Sequence, residues 1–307
     1  QNHAEAQYCL GCRYVNGQGV AMDVVEAIKW YRKAAEQNHA KAQLALGGAY
    51  GFGHGVAMDE AEAVTWWRKA AEQNDADAQD VLGDCYHNGR GVAKNYAEAV
   101  EWYRKAAKQN HASAQASLGD CYESGEGVGK DMVKAMEWWL KAAQQNNAEA
   151  EYSLGECYYN GEGVAKNYAE AVKWYRKAAE QNHDLAQGSL GDCYESGEGV
   201  AQDVVEAIKW WRKAAEQNYE PAQFSLGDCY AKGEGVVKDM VKAMEWYRKA
   251  AEQNYVPAQW CLGWRYLHGQ GVAMDEAEAV KWFRKAAEQN SAQAQFALGR
   301  CYINGQG

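Results

Sequence analysis

Nine cysteines are the first residues whose spacing could do chemistry, since thiols can pair, bind metal or act as nucleophiles. Six of them, Cys85, Cys121, Cys157, Cys193, Cys229 and Cys301, recur at multiples of 36 residues, and Cys9, Cys12 and Cys261 stand outside that register. Equivalent positions on stacked helices sit about 8–10 Å apart. A disulfide needs Cα atoms within about 7 Å, so a ladder of bridges is not available. The column also accepts Arg13, Ala49 and Arg265, and its cysteines read as small side chains packed beside Tyr14 and its copies. Cys9-Leu10-Gly11-Cys12 is a single CxxC with no strand before it, and it is assigned no redox or metal role. His3, His39, His111 and His183 share a second column, but whole repeats separate them, too far for one metal at about 2.1 Å per ligand. A turn or cap role is expected. No nucleophile, base and orienting group fall together, and no loop is long enough to enclose a site. Catalytic residues, metal ligands and cofactors are therefore not assigned, and enzymatic activity is not expected.

The remaining chemistry is electrostatic. Positions that follow residues 5, 8, 12 and 15 of the first copy vary while the framework does not, and their spacing puts them on one helical face opposite the apolar stripe. Along it run Asp84, Asp120, Glu156, Asp192 and Asp228, joined by Glu123 and Glu195 and, at the turns, by Glu126, Glu162, Glu198 and Glu234. In the outer copies Cys12, Gly48, Trp264 and Arg300 replace the acid, so the acidity is central. One account is a solvated face kept charged for solubility, because like charges about 10 Å apart repel by only ~0.4 kcal/mol in water. The other is a groove selecting a basic, extended or helical segment, with Tyr8, Tyr152, Phe224, Trp260 and Trp264 as aromatic anchors.

The elements that must hold these residues follow from a repeat. Of 31 glycines in 307 residues, most fall in three columns that begin at Gly11, Gly17 and Gly19 and recur every 36 residues. The array is expected to fill residues 1–307 as a single solenoid. Its eight full copies are 1–36, 37–72, 73–108, 109–144, 145–180, 181–216, 217–252 and 253–288, with a partial copy at 289–307. In each copy Ala6, Leu10, Tyr14 and Gly17 recur at helical spacing and predict a first helix. Pro221 and Pro257 suit the first turn of theirs. Gly11 lies inside this helix, where it costs about 1 kcal/mol relative to Ala, and its repetition implies close contact between helices. The chain turns at Gly17-Gln18-Gly19. A second helix opens on Asp23 and its Asp or Asn equivalents, with Glu26, Glu62, Glu98, Glu170, Glu206 and Glu278 at capping-box spacing. Ala27, Trp30, Ala34 and neighbours are expected to form its buried stripe, and Asn38 to close it in the left-handed conformation.

Composition agrees with a folded array. Hydrophobic residues are 47% and charged residues 24%, which excludes disorder. No apolar run approaches the roughly 20 residues of a membrane span. The formal charge of −10 argues against nucleic acid and points to a basic partner.

The pattern from Ala6 through Leu10-Gly11, Tyr14, Gly17-x-Gly19-Val20, Asp23, Ala27, Trp30-Tyr31 and Lys33-Ala34-Ala35 resembles the Sel1-like repeat, a relative of the tetratricopeptide repeat. The resemblance covers the whole chain and implies an all-α, right-handed superhelical solenoid with its first helices on the concave side. It also implies a non-catalytic scaffold or adaptor that presents this groove to a protein or peptide. A cysteine-rich subclass with hydrolase activity joins the two helices of a unit by a Cys pair. Here the second helices hold no Cys, so that activity does not carry over. The array starts at a first helix and stops after a lone first helix. The alternative expectation is a structural polymer whose ends stack head to tail into filaments. Unpaired thiols favour a reducing compartment, with export, common among proteins of this resemblance, as the alternative.

Overall fold

The computed structural model describes residues 3–306, so Gln1, Asn2 and Gly307, the outermost residues of the expected array, lie outside the described residues. Seventeen α-helices and no strand are found among them. The first helices of the pairs are α1 (Ala4–Asn16), α3 (Ala40–Phe52), α5 (Ala76–Asn88), α7 (Ala112–Ser124), α9 (Ala148–Asn160), α11 (Asp184–Ser196), α13 (Glu220–Lys232), α15 (Val256–His268) and α17 (Ala292–Ile303). The second helices are α2 (Val24–Ala35), α4 (Glu60–Glu72), α6 (Tyr96–Lys108), α8 (Met132–Ala143), α10 (Tyr168–Glu180), α12 (Val204–Glu216), α14 (Met240–Glu252) and α16 (Glu276–Glu288). The chain forms two compact units, Gln1–Ala150 and Glu151–Gly307. In each, helices pack in chain order, α1 to α8 in the first and α10 to α17 in the second, as an α-solenoid requires.

Caps set the boundaries. His3, His39, His111 and His183 are N-caps whose side chains accept from the N–H three residues on, as expected of that column. Asp23 Oδ1 accepts from the Glu26 N–H at 2.9 Å. The reciprocal half of the capping box is not made. The Asp23 N–H instead donates to the Tyr14 carbonyl at 3.0 Å, a bond repeated from Asp59–Tyr50 to Asp275–Tyr266, and Glu26 turns outward to Lys29 at 2.8 Å. After each second helix Asn38 and its equivalents adopt positive φ, between 58° and 69°. This is the left-handed closure that Asn tolerates better than most residues.

Packing explains the glycine at column 11 and divides the buried stripe of the second helix between two neighbours. A Cβ at Gly119 would lie 2.5 Å from Trp139 Cδ1, and one at Gly155 would lie 2.5 Å from Tyr175 Cδ1. The aromatic that enters the first helix is thus the residue after the invariant Trp. Trp139, Tyr175, Trp211, Tyr247 and Phe283 are each no more than 1% exposed. The preceding residue, the invariant Trp, packs on the second helix of the preceding pair: Trp66 joins Ala27 and Tyr31, and Trp102 joins Ala63 and Trp67. Column 19 also does more than turn the chain. Gly127, at φ 74°, lies so close to the Tyr96 carbonyl of the preceding second helix that a Cβ would overlap it.

A polar ladder unseen in the sequence pattern ties consecutive helices together. Gln43, Gln79, Gln115, Gln187, Gln223 and Gln259 are buried inside the apolar stripe. Gln79 Nε2 donates to the Ala71 carbonyl at 3.1 Å, and its Oε1 accepts from Gln109 Nε2 at 2.8 Å. One side chain therefore satisfies a carbonyl at a second-helix end and holds the next turn, which accounts for a polar residue at a core position.

Candidate functional site

The first helices carry the candidate surface, and its acids are held by the second helices. In the first unit Tyr103 Oη donates to Asp84 Oδ1 at 2.7 Å and Trp139 Nε1 to Asp120 Oδ1 at 2.8 Å. In the second, Tyr175 Oη donates to Glu156 Oε1 at 2.5 Å, Trp211 Nε1 to Asp192 Oδ1 at 2.8 Å and Tyr247 Oη to Asp228 Oδ1 at 2.5 Å. Every acid of this column therefore faces a donor 19 residues later in the chain. Where the aromatic is Phe283, which has no donor, the position is Trp264. Tyr31 Oη reaches Cys12 Sγ at 3.5 Å instead. The central acidity thus has an internal cause: a buried Tyr or Trp needs an acceptor for its polar tip. Pairing of the two columns was the available sequence signal, and reading each column alone missed it.

One carboxylate oxygen is committed in each case, and Glu156 Oε2 has a second, longer contact from Asn160 Nδ2 at 3.4 Å. Asp120 and Asp192 are open toward solvent on the first-helix face, while Asp84, Glu156 and Asp228 are half-buried. Desolvation by the surrounding helices, only partly offset by the Trp139 hydrogen bond, pushes Asp120 up to about 6. The same cause acts at Asp192 against the Trp211 bond, also to about 6. Burial pushes Asp80 to about 6 as well, helped by the neighbouring charge of Asp84. Its Oδ1 is buried without a partner. Asp228 differs in having Lys232 Nζ at 3.5 Å from Oδ2. Glu123 and Glu195 are exposed one turn further along α7 and α11.

The expected aromatic anchors are all half-buried, and each leans on its own neighbours. Tyr8 stacks on His39 at 5.0 Å and Tyr152 on His183 at 4.9 Å. Phe224 packs on Tyr247 and Tyr255 at 5.4 and 5.8 Å. Trp260 and Trp264 line a cavity of about 380 Å³ with Leu267, Phe296 and Arg300. At the equivalent place between α9 and α11 a smaller cavity of about 140 Å³ is lined by Glu156, Tyr159, Asn160, Tyr175, Ser189 and Asp192. A third, about 560 Å³ and apolar, is bounded by Val15, Ile28, Ala45 and Phe52 in the first unit. The same columns therefore line different chemistry in different copies.

Cys9, Cys12, Cys85, Cys121, Cys193, Cys229, Cys261 and Cys301 are free thiols, and the six of the main column, Cys157 included, are buried. Burial pushes the Cys85 and Cys229 thiols up to about 11 and those of Cys121 and Cys193 to about 12, which keeps them protonated and unreactive. Among the described residues no group of three or more His, Cys, Asp or Glu is arranged to hold a metal ion. No helix among them is long and apolar enough to cross a membrane.

Helix pairs of constant length, a buried Gly at each crossing and glycine turns seated on the preceding pair define the α-solenoid class of tandem-repeat proteins. The sequence matches the Sel1 repeat nine times, over residues 4–39, 40–75, 76–111, 112–147, 148–183, 184–219, 220–255, 256–291 and 292–307. The chain belongs to the Sel1 repeat family. Among solved structures it is similar to a protective antigen present in uropathogenic Escherichia coli strains that displays an SLR fold. Identity is 42% at a TM-score of 0.84, covering 99% of this chain and 65% of that one, so the chain spans a little under two thirds of that relative. It is also similar to a Sel1 repeat protein from Oxalobacter formigenes, at 32% identity and a TM-score of 0.74, covering 98% and 87% of the two chains. Comparison with curated proteins finds no match.

Proposed function

We propose that the chain is a non-catalytic binding scaffold whose first-helix faces hold a basic segment of a protein or peptide. Helix-pair solenoids present extended surfaces built from equivalent positions of successive repeats. The observation that carries the reading is the column of carboxylates. The second helices fix one oxygen of each at 2.5–2.8 Å, and among the described residues no ion pair neutralises Asp84, Asp120, Glu156 or Asp192. Such fixed, uncompensated acceptors are pre-organised for donors from outside. Solubility alone would be served by acids anywhere on the surface.

Binding of labelled lysine- and arginine-rich 12-residue peptides, followed by fluorescence polarisation at two salt concentrations, tests this. The variant D120N/E156Q/D192N keeps an acceptor for each aromatic donor and removes three charges. It is expected to weaken binding by about tenfold or more and to flatten the salt dependence. Equal affinity and equal salt dependence in the variant would remove the first-helix face from consideration.

A further inference from the structure

The cavity between α9 and α11 differs from a general acidic face. At about 140 Å³ it lies well below the roughly 300 Å³ of small-molecule pockets, so it suits the head of one side chain and not a cofactor. Its walls offer acceptors. Tyr175 Oη spends its proton on Glu156 Oε1 at 2.5 Å. Tyr159 Oη likewise donates to Glu198 Oε2 at 2.6 Å. Asn160 Nδ2 approaches Glu156 Oε2 at 3.4 Å. Trp211 fixes Asp192 Oδ1 at 2.8 Å, and Asp192 itself is exposed at the first-helix face. Tyr159 and Tyr175 supply its aromatic wall, with ring centroids 6.2 Å apart, and Tyr152 packs on Tyr175 at 5.9 Å outside the lining. Among the described residues neither Glu156 nor Asp192 has an ion-pair partner, whereas Asp228 in the same column has Lys232.

We infer that this cavity is a receptor for a single arginine side chain of the bound segment, its guanidinium held between the Glu156 and Asp192 carboxylates and laid against the tyrosine wall. The assignment rests on the scaffold reading above and names its anchor. A guanidinium fits because its planar fork donates to two carboxylates at once and its face stacks on aromatic rings. A lysine ammonium is a point charge with a larger hydration shell to lose, and it makes no use of the flat wall.

The probe is N-acetyl-arginine amide, titrated into the intact chain while the indole N–H signals are followed by NMR. N-acetyl-lysine amide and the neutral isostere N-acetyl-citrulline amide serve as comparators. The Trp211 indole signal is expected to shift saturably with the arginine probe, about tenfold more weakly with citrulline, and several-fold more weakly with lysine. D192N and E156Q, which retain acceptors for Trp211 and Tyr175, should each weaken the arginine effect about tenfold. Unchanged signals from the other indoles show that these variants are folded. Equal response to citrulline, equal or tighter binding of lysine, or persistence of the shift in the double variant would each overturn the inference. If the arginine probe leaves Trp211 unmoved while basic peptides still bind with salt dependence, the anchor falls and the scaffold reading stands. If neither binds, both fall.

Discussion

At the residue scale the polar groups in the core determine what charge does here. Glu151 occupies the column that is otherwise Gln and is 2% exposed, with Gln181 Nε2 donating to it at 2.6 Å. Burial raises its pKa above the ordinary carboxylate range, only partly offset by that bond. Its folded-state pKa exceeds its unfolded one, so the folded chain binds the proton more tightly. Stability from this group is full at low pH and is lost as pH rises through the window between the two values. E151Q should therefore stabilise the protein at pH 7 by about 1 kcal/mol. The gain should shrink as pH falls toward about 4, which thermal melts of both proteins across pH 4–8 would read. A gain independent of pH would show that the ionised carboxylate is not the cause.

At the element scale the crossing of each helix pair is set by one absent methyl group. The close approach of Trp139 Cδ1 to the ideal Cβ position of Gly119, 2.5 Å, leaves an alanine no room unless the indole or the helix moves. Ala has the better helix propensity by about 1 kcal/mol, yet overpacking costs roughly 1–3 kcal/mol, so G119A should lower stability on balance. The indole bond to Asp120 would shift with it, and urea melts with tryptophan fluorescence would read both effects. The substitution G48A, where a Cβ meets nothing within 4 Å, should show only the propensity gain. Equal behaviour of the two variants would contradict the steric account.

At the scale of the whole molecule, the main contacts within each unit run between helices adjacent in the chain, and the next reach only to the neighbouring pair, as Trp66 does to Ala27 and Tyr31. Stability is then a sum over pairs and their interfaces. Excising residues 76–111, one repeat of the first unit, joins a second helix to a first helix through the same Asn-closed turn. The shortened chain should keep its helicity per residue by circular dichroism and melt at a lower temperature. Loss of all helical signal would show that the repeats are not interchangeable.

The repeat length, both helices, the caps, the left-handed Asn and the glycine crossing were legible in the sequence because each is a local constraint that recurs. Caps and turns depend on dihedral angles of a few residues, and a cost repeated at Gly11 through Gly263 signals a contact whatever its partner. Which aromatic fills that contact was not legible. Trp66 and Trp67 are adjacent and both apolar enough, and only the azimuth of α4 against α3 sends Trp67 onto Gly47 and Trp66 to Ala27 and Tyr31 of the neighbouring pair. The acids of the first helices were visible as charge, but their role depends on a hydrogen bond that spans 19 residues and closes only when the two helices pack. Sequence alone thus determined the repeating unit, since its signals lie within a turn of helix. Tertiary structure decided which carboxylate oxygens are spent inside the fold and which remain free, because that division is made by side chains from different helices meeting in space.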